Sequence, residues 1–123
     1  MQGIYFINDR MTLYDFSREA SFQLQENALK DFINENHVQP VQLNPYQIYS
    51  HYTILHALLY DLKKSNVLLD CFIYYSNAVI DEFIYLYPEL WILITSYFDN
   101  VIPLYKDPFI LSMFREIPII KQD

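Results

Sequence analysis

Short apolar runs alternate along this chain with longer stretches whose apolar residues recur every three or four positions, and no other feature restricts the possible folds as much. A compact β-prone run satisfies its backbone in a sheet, whereas a three-to-four spacing lays apolar side chains along one face of a helix. Gly3-Ile4-Tyr5-Phe6-Ile7 reads as a buried first strand closed by Asn8-Asp9. A helix is expected from Ser17 to Asn36, with Leu24, Ala28, Leu29, Phe32 and Ile33 on its apolar face. Glu26, Lys30, Asp31 and Glu35 fall mostly on the other faces.

Val38 to Leu43 alternates as a half-buried strand does, and Pro40 places it at a sheet edge, because proline has no N–H to give a ladder. Asn44-Pro45 reads as an N-cap with proline at the first helical position. It would open a second helix running to Lys64, with Ile48, Tyr52, Leu55, Leu58, Leu59 and Leu62 as its stripe. Lys63 and Lys64 then complement the negative end of the helix dipole. Val67 to Tyr75 is apolar enough for a central strand covered on both faces. Asn77 is expected to cap a third helix with Asp81 and Glu82 in its first turns and a stripe through Phe83, Ile84, Tyr87, Leu90, Trp91, Ile94 and Phe98. Pro88 must kink that helix or start another. Val101 to Tyr105 reads as a fourth strand, Asp107 to Arg115 as a terminal helix, and Ile117 to Ile120 as an extended tail. Alternation of this kind predicts a three-layer α/β sandwich, flavodoxin-like or resolvase-like, built as one domain over residues 1–123 around a mostly parallel sheet of about four strands.

Composition narrows the function. The hydrophobic fraction of 53% and aromatic fraction of 18% supply a core with apolar surface left over, which points to self-association or a protein partner. Gly3 is the single glycine, and a loop that wraps phosphate needs several, so Walker-type and dinucleotide-binding turns are excluded. The net charge of −7, from 15 acidic and 8 basic residues, argues against direct nucleic-acid binding, which relies on Lys and Arg along the phosphates. Lys63-Lys64 and Lys106 read as solvated helix and loop ends. A basic protein, or the basic face of a DNA-binding protein, suits the charge better.

Cys71 has no partner for an internal disulfide and lies in an apolar run, which reads as a buried structural cysteine of a cytoplasmic protein. The N-terminus shows no secretory pattern. The segment from Phe83 to Phe98, with Pro88 and Glu89 inside it, is too short to span a bilayer. His51 and His56 are not spaced to share a helical face, His37 stands apart, and no metal or cofactor is expected. Ser17, Ser21 and Ser50 have no adjacent His-Asp arrangement, and Asp81-Glu82 reads as helix N-terminal carboxylates. The 12 tyrosines, including Tyr46, Tyr49, Tyr52 and Tyr60 along the expected second helix, offer apolar area with a polar tip, a type enriched at interfaces.

Several segments, in order, resemble one family. Ile4-Tyr5 lies in the first strand, and Ser21-Phe22-Gln23-Leu24-Gln25 leads into Ala28-Leu29-Lys30-Asp31-Phe32-Ile33-Asn34-Glu35-Asn36. Leu58-Leu59-Tyr60-Asp61-Leu62 follows, and then Asp70 before Cys71-Phe72-Ile73-Tyr74-Tyr75-Ser76. Over roughly Gly3 to Tyr105 the chain is similar to the catalytic domain of serine recombinases, the resolvase and invertase group.

The resemblance implies a lost activity. Where the family carries an Arg-Val-Ser catalytic turn, this chain has Ile7-Asn8-Asp9, and a carboxylate there would repel a phosphate. Arg10 lies just beyond, with no serine beside it. The stretch from Ser76 to Asp81 lacks the arginines that follow the family's third strand. Gln25 and Asp70 alone match positions tied to the family's site or its support, and the family's long dimerisation helix and helix-turn-helix are not evident.

No catalytic, cofactor-binding or metal-binding residue is therefore assigned. The expectation is a non-catalytic, protein-binding or regulatory module, bacterial or phage, self-associating as the family does. The alternative is a small hydrolase or transferase with a pocket at the carboxyl ends of the strands, near Asn8, Asp9, Asn44 and Asn77. Arg10, Arg18 and Arg115 gathered over a hydroxyl would restore the case for chemistry. A third reading is an all-helical interaction module.

Overall fold

The computed structural model describes residues 1–105. Within them four strands form one all-parallel sheet in the order β2-β1-β3-β4, which excludes the all-helical reading and is consistent with a flavodoxin-like three-layer fold. The strands are β1 (Gln2–Phe6), β2 (Gln39–Pro40), β3 (Leu69–Ser76) and β4 (Phe98–Tyr105). The helices are α1 (Arg18–Glu35), α2 (Leu55–Ser65), α3 (Asp81–Leu86) and α4 (Pro88–Thr95). The expected terminal helix, the tail, Lys106 and Arg115 lie outside the described residues.

Alternation along β1 and β3 sorts the core into two layers. Ile4, Phe6, Phe72 and Tyr74 face α2 and α4, where Leu55, Leu58, Leu59, Leu62 and Ile94 meet them. Tyr5, Ile7, Cys71 and Ile73 face α1, which brings Leu29 and Ile33. Cys71 is buried, as expected, and sits against Gly3: a Cβ on Gly3 would lie 2.6 Å from Cys71 Sγ and 3.1 Å from Val38 Cγ1. The single glycine thus serves close packing between neighbouring strands.

Helix α1 follows its sequence signals. Ser17 Oγ accepts the Ala20 N–H at 3.0 Å as an N-cap, and Asn36 closes the last turn. Its fully covered stripe is Ser21, Gln25, Leu29 and Ile33, so two polar residues share the inward face.

The second helix starts ten residues later than expected, at Leu55 in place of Pro45. Asn44 Oδ1 accepts the Tyr46 N–H and its carbonyl accepts the Gln47 N–H, so Asn-Pro here begins a turn. Asparagine followed by proline suits both roles, and tertiary pairing selects between them. β2 is correspondingly short: the expected strand from Val38 to Leu43 contracts to Gln39–Pro40, at the edge that Pro40 implied. The edge of β1 is completed by Tyr52, whose N–H reaches the Tyr5 carbonyl at 3.0 Å and whose carbonyl accepts the Ile7 N–H at 2.9 Å. The chain from Val41 to His51 is therefore an excursion inserted into one sheet edge.

Asn77 does not cap the third helix. It begins a 3₁₀ turn (Asn77–Val79) and accepts the Tyr74 hydroxyl at 3.4 Å, while α3 starts at Asp81 without a side-chain cap. Pro88 is the first residue of a separate helix, where its missing N–H costs nothing. β4 begins at Phe98, which the expected helix stripe had claimed, three residues ahead of Val101. No helix among the described residues is long and apolar enough to cross a membrane.

Candidate functional site

In an open parallel sheet the crevice lies outside the carboxyl ends of the strands, where the strand order reverses. Here that point lies between β1 and β3. The segment leaving β1 is held from below by α1. Gln25 Oε1 accepts the Asn8 N–H at 2.9 Å, Gln25 Nε2 donates to the Asn8 carbonyl at 2.9 Å, and Ser21 Oγ accepts the Leu13 N–H at 2.7 Å. Asn8 Nδ2 then donates to the Val79 carbonyl at 2.9 Å, tying the segment after β1 to the turn after β3.

Beside this tie lies a cleft of about 220 Å³ with apolar walls from Phe6, Met11, Leu55, Phe83, Leu86 and Tyr87. Arg10, Thr53 and Glu82 also line it. The outer wall is stiffened by His56, whose ring meets Phe83 at 5.1 Å and Tyr87 at 4.7 Å between centroids, both edge-on.

Of the positions expected at a strand-end pocket, Asn8 lines the cleft, Asp9 is its neighbour and Asn77 lies at the same carboxyl end of the sheet, directly after β3. Asn44 does not join them; it lines a separate groove with Tyr60, Asp61 and Lys64. Asp9 Oδ1 is buried with no hydrogen-bond partner. Arg18 Nη2 donates to the Asp9 carbonyl at 3.2 Å, outside the cleft that Arg10 lines. Among the described residues no serine lines that cleft. Asp70 and Gln25 are also apart, since Asp70 accepts the Gln2 N–H at 2.7 Å at the start of β1.

Three phenols near these segments are held in their neutral forms. Burial, helped by the charge of Asp81, pushes the Tyr74 phenol up to about 12. Burial and the Tyr14 contact raise Tyr75, and burial and the Asp61 carboxylate raise Tyr52. His51 was expected on the second helix and is instead buried at the foot of the excursion. Its ring stacks on Tyr49 at 5.2 Å and meets Phe22 at 5.7 Å and Tyr5 at 5.8 Å. Burial is the main cause that lowers its pKa. Among the described residues no cluster of His, Cys, Asp and Glu could hold a metal ion.

Two features escaped sequence reasoning. Asp61 is buried beside the α2 stripe and accepts the Tyr52 hydroxyl at 2.7 Å; a carboxylate flanked by Leu58, Leu59 and Leu62 was the available signal. The excursion was the other, because its residues fit a helical stripe. Tyr46, Ile48 and Tyr49 are exposed on it, whereas Tyr52 is core.

Compared with protein-family models, with curated proteins and with solved structures, the chain matches none.

Proposed function

We propose that this protein is a non-catalytic, resolvase-like domain that acts by binding another protein, as a regulatory module in the cytoplasm of a bacterium or a phage-infected cell. The observation that carries this reading is the excursion from Val41 to His51. Tyr46, Ile48 and Tyr49 stand 88%, 84% and 64% exposed within four residues. Single exposed apolar side chains are ordinary, but a set of large ones at one place is what a partner buries. The feet of the excursion are fixed by Val41 N–H on the Gly3 carbonyl, by the Tyr52 ladder, and by Ser50 Oγ against Tyr5 Oη at 2.8 Å. Such anchoring lowers the ordering cost on association. The acidic balance of the whole chain suits a partner with a basic face.

The loss of recombinase chemistry is supported by the lining of the strand-end cleft, where Arg10 is joined neither by Arg18 nor, among the described residues, by a serine. The resemblance itself gains support from Ser21 and Gln25, which hold the segment after the first strand from the helix that suggested the family. A small hydrolase or transferase is the second reading, favoured by the strand-end cleft. It would need a base against a nucleophile, and no hydrogen bond joins Glu82 to Thr53 there.

The test is a pair of measurements on purified protein. A triple variant, Tyr46→Ser with Ile48→Ser and Tyr49→Ser, should keep its fold but lose proteins that the unaltered chain retains reproducibly from its native host, and any self-association seen in sedimentation. Nicking or joining of supercoiled DNA by the unaltered chain would overturn the reading, as would retention of the same partners by the triple variant.

A further inference from the structure

We infer that the strand-end cleft is a binding site for a free zwitterionic amino acid with an apolar side chain. The inference does not depend on the excursion or on its partner.

Arg10 and Glu82, residues of opposite charge, line this cleft, and neither side chain has a partner among the described residues. The one ion pair among the described residues is Lys30 with Glu26, on α1. Arg10 uses its backbone N–H on Asn8 Oδ1, and its guanidinium makes no hydrogen bond or ion pair among the described residues. Glu82 likewise has no partner for its carboxylate among the described residues. The two groups border one small space without closing on each other. Thr53 lines the same space, and its hydroxyl makes no hydrogen bond among the described residues. A guanidinium favours a carboxylate, through two parallel N–H donors, and a carboxylate favours an ammonium. A ligand carrying both charged groups on one carbon satisfies both sides while leaving the cleft neutral.

The rest of the lining decides what else that ligand carries. Phe6, Met11, Leu55, Phe83 and Leu86 offer no charge and suit an aliphatic or aromatic side chain. A volume of about 220 Å³ falls below the ~300–1,000 Å³ of sites for drug-sized ligands, so one amino acid fits better than a peptide. Filling the apolar space would also displace water from around the charges and strengthen their contacts. The walls are preorganised: Asn8 is tied to Val79 and to Gln25, and His56 braces Phe83 and Tyr87. The site lies at the switch point between β1 and β3, where sheets of this topology place ligands.

Calorimetric titration of the full chain with L-leucine and L-phenylalanine tests the inference. Saturable binding of one of the two with one-to-one stoichiometry is expected, together with loss of at least about tenfold in affinity for N-acetyl and carboxamide forms, each of which lacks one charge. Arg10→Gln and Glu82→Gln should each weaken the free amino acid by about tenfold, and both positions are exposed enough for the variants to fold. Tyr46→Ser, outside the cleft, should leave the affinity unchanged. The inference is overturned if neither amino acid binds at millimolar concentration, if blocked and free forms bind equally, or if both charge variants bind as the parent does.

Discussion

One side chain holds both polar groups of a single backbone residue: Gln25 Oε1 accepts the Asn8 N–H and Gln25 Nε2 donates to the Asn8 carbonyl, each at 2.9 Å. Gln25 is fully buried, and a further bond from Nε2 to the Ser21 carbonyl at 3.2 Å fixes the amide within its own helix. The segment leaving β1 therefore has its course set by α1, and with it one wall of the cleft.

Gln25→Met keeps the length of the side chain and removes every one of those bonds. Both Asn8 backbone groups would then lack partners in a partly buried setting, which should cost about 2–4 kcal/mol in urea unfolding. Amide exchange at Asn8 should speed up more than exchange at β3. A loss below about 1 kcal/mol would mean that water replaces the amide and that α1 does not template this segment.

Gly3 and Cys71 make a second pair whose energetics can be separated. A methyl group on Gly3 would meet Cys71 Sγ at 2.6 Å, so Gly3→Ala should destabilise by about 1–3 kcal/mol through overpacking. Cys71→Ala alone should also cost stability, since it opens a cavity in a buried layer. In the double variant the added methyl group occupies part of the vacated space, and its cost should fall well short of the sum. Strict additivity would show that the Cys71 carbonyl and Val38, at 3.0 and 3.1 Å, set the limit.

How much of this was legible in the sequence depends on how local each signal was. β1, α1 and β3 were legible because their periodicity is strong and their ends carry turn or cap residues such as Asn8, Ser17 and Asn36. The excursion was not. Ile48, Tyr52 and Leu55 fall at helical spacing, and the ladder that places Tyr52 on β1 is a contact between distant parts of the chain. Ser21 and Gln25 were visible as residues, but their inward direction depends on where the segment after β1 runs. Arg10 and Glu82 were each noted alone; a crossover through β3 brings them to one cleft, and no sequence spacing encodes that.

Acid should weaken the fold partly through His51. Burial, the leading cause, lowers its pKa from the ordinary 6.5; Glu26 and Asp9 oppose this, and Lys30 adds to it. The unfolded chain then takes up a proton more readily than the native one, so the contribution of His51 is fully present above the unfolded pKa. It is lost as pH falls below about 6.5 toward the lower native value. Urea midpoints of the parent should drop over that window, and those of His51→Phe should drop less. Parallel profiles would show that the cage of Tyr5, Phe22 and Tyr49 accepts the charged ring at no cost.

The hydroxyl of Tyr52 and the carboxylate of Asp61 settle how firmly the far foot of the excursion is joined to α2. They lie 2.7 Å apart, both residues are buried, and the phenol is held protonated as the donor. Tyr52→Phe deletes one oxygen and leaves the buried Asp61 carboxylate without a donor among the described residues, at a cost of about 1–3 kcal/mol. Replacing both, as Tyr52→Phe with Asp61→Leu, removes donor and acceptor together, and stability should return to within about 1 kcal/mol of the parent. The backbone ladder from Tyr52 to Tyr5 and Ile7 survives either change, so binding through Tyr46 and Ile48 should persist in the double variant. If the double variant is no more stable than Tyr52→Phe alone, the pair matters for its packing, and the charge on Asp61 is solvated without help from Tyr52.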